Sequence, residues 1–145
     1  MSLKRSYFKQ KKTKLMKRGR LKKKSKQSIS KLQREIWQHC KRIIRKKYGN
    51  YCYTCQTGPL IGRNWHTGHM WPKASVGALL KYDLRILRPQ CYNCNINHGG
   101  RGADFFLRMW EENGVEYMEQ LKKDRSVTVK AYPHYEELLT KYKEM

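Results

Sequence analysis

Two short cysteine pairs, Cys52-Tyr-Thr-Cys55 and Cys91-Tyr-Asn-Cys94, constrain this chain more than any other feature. Two intervening residues let both thiolates of a pair turn inward onto one tetrahedral ion. Two such pairs close the coordination sphere of zinc and leave no open position for chemistry. Turn formers follow the first pair (Gln56, Thr57, Gly58, Pro59), as a knuckle at the tip of a hairpin requires. Redox pairs of this spacing come singly and in a βαβ setting, so a structural zinc site is expected instead. A chain of 145 residues has room for one domain with a modest core, and a metal supplies much of the folding energy of such a domain.

The charge narrows the partner. The formal net charge is +22, and residues 1–47 hold 20 Lys or Arg against the single acid Glu35. Residues 48–145 hold 13 basic against 10 acidic residues. A segment that repels itself this strongly is normally held beside a polyanion, here nucleic acid. No stretch approaches the ~18 apolar residues of a membrane span, and no apolar signal core follows the basic N-terminus. The expectation is an intracellular protein, in the cytoplasm or nucleoid of a host cell, with no membrane partner. Residues 1–26 contain 13 Lys or Arg and no acid, too little apolar surface to offset the entropy of ordering. A disordered basic arm over residues 1–27 is therefore expected ahead of a domain over 28–145. The arm reads either as a solvating or localising tail or, with counterion release in its favour, as a segment lying along phosphates.

Within the domain, Ile29, Leu32, Ile36, Trp37, Ile43, Ile44 and Tyr48 recur at helical spacing. They predict a helix over about 31–48, with Ser30 and Gln33 as a capping box and Gly49 as a left-handed C-cap. His39 and Cys40 read as a surface histidine and a small core thiol. Residues 50–70 and 82–90 read as short extended segments, with Tyr82, Leu84, Ile86 and Arg88 on one face. Residues 71–81 read as a loop, because Pro72 and Gly77 disfavour regular structure. Helices are predicted over 103–113, burying Phe105, Phe106, Met109 and Trp110, and over about 115–123, burying Val115, Met118 and Leu121, with Gly114 between them. A last helix opens at Pro133 and carries Tyr135, Leu138, Leu139 and Tyr142.

Knuckles about 35 residues apart allow a β-hairpin between them and place Cys94 in the first turn of a helix. The fold class expected is α+β: a small zinc-stabilised treble clef flanked by α-helices. The zinc cage then holds Trp65-His66-Thr67-Gly68-His69-Met70 against Asn95-Ile96-Asn97-His98-Gly99-Gly100. An imidazole and a carboxamide oxygen converging on one point are most of what phosphodiester hydrolysis needs: a base for water, and a divalent metal for the developing charge.

These residues resemble the zinc-stabilised HNH (ββα-metal) nucleases, and more closely the NinG/Rap recombination proteins of lambdoid phages. The resemblance rests on Ile36-Trp37, Ile44-Arg45, Cys52-x-x-Cys55, Gly68-His69, Pro89-Gln90-Cys91-x-x-Cys94-Asn95 and the Gly99-Gly100 segment, and it spans about residues 31–145. It implies a DNA endonuclease preferring branched recombination intermediates. It implies His69 as the general base that activates water, and Asn95 as a ligand of a catalytic Mg²⁺ or Mn²⁺. Many HNH enzymes carry Asp or His where this chain has Gly68, so His66, His98 and Asp83 are candidates to complete the catalytic metal site. The central Asn of the HNH pattern falls at Ile86, which leaves the hairpin brace to another group, with Asp83 a candidate. The function expected is a metal-dependent endonuclease on branched or Holliday-junction DNA; junction cleavage would favour a homodimer cutting opposed strands, for which the sequence offers no signature beyond the apolar C-terminal helices. The alternatives are a non-catalytic zinc module that binds nucleic acid and an HNH endonuclease acting on linear duplex.

Overall fold

The computed structural model of the protein describes residues 26–145, so nearly all of the expected arm lies outside the described residues. Helix α1 spans Ile29–Tyr48 and buries Leu32, Ile36, Cys40, Ile43 and Ile44 along one stripe. Its cap is Ser28, whose hydroxyl accepts from the Lys31 N–H, rather than the expected Ser30 with Gln33. The earlier start keeps a hydroxyl cap while adding two residues of helical bonding. Gly49 ends the helix at φ +74° and ψ −146°, donating its N–H to the Arg45 carbonyl at 2.9 Å. It is a positive-φ stop outside the left-handed helical region.

Strands β1 (Trp65–His69) and β2 (Leu87–Cys91) form a two-stranded antiparallel sheet with Trp65 opposite Cys91 and His69 opposite Leu87. Pro89 fits in β2 because its carbonyl faces outward, accepting from the Tyr53 N–H at 2.7 Å. Its missing N–H therefore faces away from β1 and costs no ladder bond. Thr67, opposite Pro89, accordingly turns its own backbone N–H and C=O toward the free edge of β1.

The connection between the strands is more regular than the loop expected. A 3₁₀ turn covers Lys73–Ser75, helix α2 covers Ala78–Lys81, and a second 3₁₀ turn covers Leu84–Ile86. Pro72 and Gly77 sit immediately before the first two of these, starting turns rather than preventing them. The second 3₁₀ turn breaks the expected extended face of Tyr82, Leu84, Ile86 and Arg88. Arg88 is nonetheless buried, with its guanidinium 4.3 Å above the Tyr48 ring.

Helix α3 (Gly102–Arg125) bends at Gly114, where φ is +80°, and buries Phe105, Met109, Met118 and Leu121. Phe106 and Trp110, expected in the core, are 38% and 45% exposed, and Val115 is exposed as well. One stripe on each side of the bend faces inward, and the next residue along lies about 100° away on the rim. With Trp71 and Met118 these side chains border an open groove of about 450 Å³. Helix α4 (Ala131–Glu144) begins two residues before Pro133, which occupies the first turn where no N–H is needed. It buries Tyr135, Leu139 and Tyr142 against α1. The Tyr142 hydroxyl donates to the Tyr82 carbonyl at 2.8 Å. Among the described residues no helix is long and apolar enough to cross a membrane.

Candidate metal centre and adjoining cleft

The two cysteine pairs meet. The Sγ atoms of Cys52, Cys55, Cys91 and Cys94 all lie within 4.8 Å of one another, and Cys55 and Cys91 are 3.8 Å apart. Tetrahedral zinc–sulfur bonds of about 2.3 Å put neighbouring sulfurs about 3.8 Å apart, so the donor set fits zinc. The Cys94 N–H points at the Cys91 sulfur at 3.3 Å, a bond that favours a thiolate. Burial pushes the Cys91 thiol up to about 12. A bound dication overrides that effect, because a coordinating thiol is deprotonated outright. The cluster can thus hold one structural ion that ties the segment after α1 to the end of β2.

The segment after the second pair is wound, but more widely than an α-helix. Asn93–Asn97 form one π turn, closed by the His98 N–H to the Asn93 carbonyl at 3.0 Å. Gly99, Gly100 and Arg101 then take positive φ angles before α3 begins. In so wide a turn three residues fall short of a full revolution. His98 is therefore exposed in the turn that follows and does not line the cleft that Asn95 lines. Asp83 is also elsewhere. Its carboxylate caps the Leu84–Ile86 turn through the Arg85 N–H at 2.8 Å and pairs with the Arg85 guanidinium at 2.7 Å.

Gly68 has a specific neighbour. A Cβ built there would run into the Gln90 side chain, which lies across the glycine. Gln90 is fully buried and donates from Nε2 to the Gly100 carbonyl at 2.8 Å and the Thr54 hydroxyl at 3.2 Å. Gln90 thus spans from the first cysteine pair to the glycine turn, directly beneath the step that precedes His69. Gly68→Ala is expected to destabilise the fold by about 1–3 kcal/mol through overpacking. Combined with Gln90→Ala it should cost less than the two single changes together, a coupling that urea titration of the four proteins measures.

His69 is half-buried. Its ring stacks on Trp37 with centroids 5.3 Å apart and planes 13° apart. Its Nε2 lies 3.0 Å from the Lys81 carbonyl. A carbonyl only accepts, so Nε2 carries the hydrogen and Nδ1 of the neutral ring keeps the lone pair. Burial, reinforced by the charges of Lys73 and Lys81, holds the His69 pKa below the ordinary histidine value against the opposing pull of that carbonyl. The Lys81 carbonyl thus orients the ring, while Asp83, the candidate brace of the hairpin, is taken up by its own turn and by Arg85.

Beside this ring opens a cleft of about 480 Å³ lined by Trp37, Thr67, His66, Asn95, Tyr92 and the basic pair Lys41 and Arg63, with Trp65 at its wall. His66 donates from Nε2 to the Arg63 carbonyl at 2.9 Å, leaving its Nδ1 free. A second groove, lined by Gln38, Lys41, Arg42, Arg45 and Trp65, continues along α1. Together they form a basic track that leads to the cleft. The structure brings His66 and Asn95 into one cleft and sets His69 against its Trp37 wall.

A family model described as the Bacteriophage Lambda NinG protein matches residues 1–145, the whole chain. The chain belongs to the NinG family. No curated protein and no solved structure matches it. The NinG match also takes in the basic residues 1–30, which the sequence resemblance had left outside. In this NinG chain the spacing of the cysteines was legible beforehand, as were His66, His69 and Asn95 as residues of interest. Lys41, Arg63, Thr67 and Tyr92 carried no signal of their own, and Trp37 was assigned to the core because it falls on the apolar stripe of α1.

Proposed function

We propose that this NinG protein is a divalent-metal-dependent DNA endonuclease with an HNH-like treble-clef centre, acting on branched DNA in phage recombination. The observation that carries the reading is the state of His69: a half-buried, neutral imidazole with Nε2–H held by the Lys81 carbonyl and Nδ1 left as a base. The family supplies the recombination context. In the reaction, Nδ1 of His69 removes a proton from water, and the oxygen attacks phosphorus in line as the bond to the 3′ oxygen breaks, that oxygen taking a proton from solvent to leave 3′-hydroxyl and 5′-phosphate ends. Lys41 and Arg63 hold the flanking phosphates and offset their charge. Asn95 and His66 offer a carboxamide oxygen and a free ring nitrogen to the same cleft. When bound there, Mg²⁺ or Mn²⁺ neutralises charge developing on the phosphate. The zinc of the cysteine cluster is structural and takes no part in the chemistry.

The test is cleavage of a four-way junction against a linear duplex of matched sequence, with Mg²⁺. Junction cleavage well above duplex cleavage is the expected result. Asn95→Ala should lose activity and regain part of it at high Mn²⁺, since it removes one metal ligand rather than the base. A wild-type protein that binds but cuts none of branched, flapped and linear DNA with Mg²⁺ or Mn²⁺ would make this a binding module, a reading that the basic track alone would also satisfy.

A further inference from the structure

We infer that the cleft at Asn95 receives a single unstacked nucleotide of the DNA, its base lying on the Tyr92 ring, and that this is how the protein prefers branched to continuous duplex. The inference rests on the DNA reading above and adds what part of the DNA enters the cleft. Tyr92 lies between the buried cysteines of the second pair, yet it is 48% exposed. It is held firmly. Its backbone N–H donates to the Asn64 carboxamide oxygen at 2.9 Å, and its ring meets His66 edge-on at 5.5 Å. A ring fixed in this way loses little freedom when a base stacks on it. The two indole rings of the cleft already have partners, His69 on Trp37 and the Arg45 guanidinium 4.2 Å over Trp65.

Thr67 is the second, independent observation. It is only 6% exposed, it lines the same cleft, and its hydroxyl has no hydrogen-bond partner. Buried hydroxyls are normally paired, so this one marks a place for a polar group of a ligand. A phosphate held by Lys41 and Arg63 alone would leave both Thr67 and Tyr92 unused. A nucleotide turned out of the stack uses all of them, with its phosphate on the cations, its base on the ring and a polar edge at the hydroxyl. Inside a continuous duplex both faces of every base are covered. At a branch or an unpaired position one face comes free at small cost.

The experiment compares binding of the full-length protein, in Ca²⁺ to prevent cutting, to a duplex with one unpaired thymidine and to its fully paired counterpart. Tyr92→Ala is expected to weaken binding to the unpaired substrate about tenfold while changing paired duplex by less than about twofold. Tyr92→Phe, which keeps the stacking face, should behave as wild type. In wild type, 5-iodouracil at the unpaired position should photo-crosslink to Tyr92, a readout that needs no variant. Equal losses on both substrates, no loss on either, or crosslinks confined to residues outside the cleft would overturn the inference. Failure of the wild type to bind either DNA is a separate result, visible before any variant is made, and would remove the DNA reading itself.

Discussion

Replacing His69 with alanine is expected to lower cleavage by about a hundred- to ten-thousand-fold, the range a positioned general base contributes. Zinc content and DNA affinity should stay close to wild type, because a base acts in the transition state and adds little to ground-state binding. The pH dependence gives a second readout with a definite sign. The neutral ring is the active form, and burial holds its pKa below the ordinary value. Activity should therefore rise with pH and reach its plateau with a midpoint below the ~6.5 of a free histidine. Acid should cost stability through the same group. The unfolded chain takes up the proton first, so the loss begins as pH falls through ~6.5 and continues down to the folded value. A rate profile with its midpoint above 7, or His69→Ala cutting as well as wild type, would remove His69 from the role of base.

Cys91→Ser, or removal of metal by a strong chelator, is expected to unfold the region between the two cysteine pairs. Structural zinc in finger peptides contributes about 10–16 kcal/mol at neutral pH, as much as the entire stability of most small domains, about 5–15 kcal/mol. The four sulfurs here tie together the turn after α1, the end of β2 and the π turn. Loss of near-ultraviolet circular dichroism with partial retention of helical signal is the expected outcome, since α1 and α4 pack on each other and neither carries a residue of the cysteine cluster. Elemental analysis should find about one zinc per chain in the wild type. Folded, cooperative protein without zinc would refute the cluster as a metal centre.

These expectations show which links of the chain from sequence to site are readable. The cysteine spacing translates directly into a metal cluster because ligand geometry is local and period-free. The stripe of α1 was readable because helical burial repeats every three to four residues. What escaped depends on register and phase. The reason for Gly68 lies in Gln90, 22 positions along the chain, and appears only once β1 and β2 are aligned. His98 follows Asn95 by three positions, about one turn in an α-helix, and the π turn removes that relation. Phe106 and Trp110 seemed buried because hydrophobicity marks a candidate for burial without saying which edge of a helix the core will cover. Thr67 was invisible for the opposite reason: its significance is a missing hydrogen bond, which only the folded neighbourhood defines.

The hydrogen bond from His69 to the Lys81 carbonyl has a consequence for how such a site changes over generations. An aspartate or asparagine in that position would be a fixed point, lost by almost any exchange of its codon. A main-chain oxygen is supplied by every amino acid, so position 81 can change without losing this bond provided the short helix keeps its course. The constraint passes instead to the residues that shape that course, Gly77, whose carbonyl holds the Lys81 N–H at 3.1 Å, and buried Leu80 beneath it. A comparison of sequences by identity alone would miss the partner of the histidine, since the part that matters has no letter of its own.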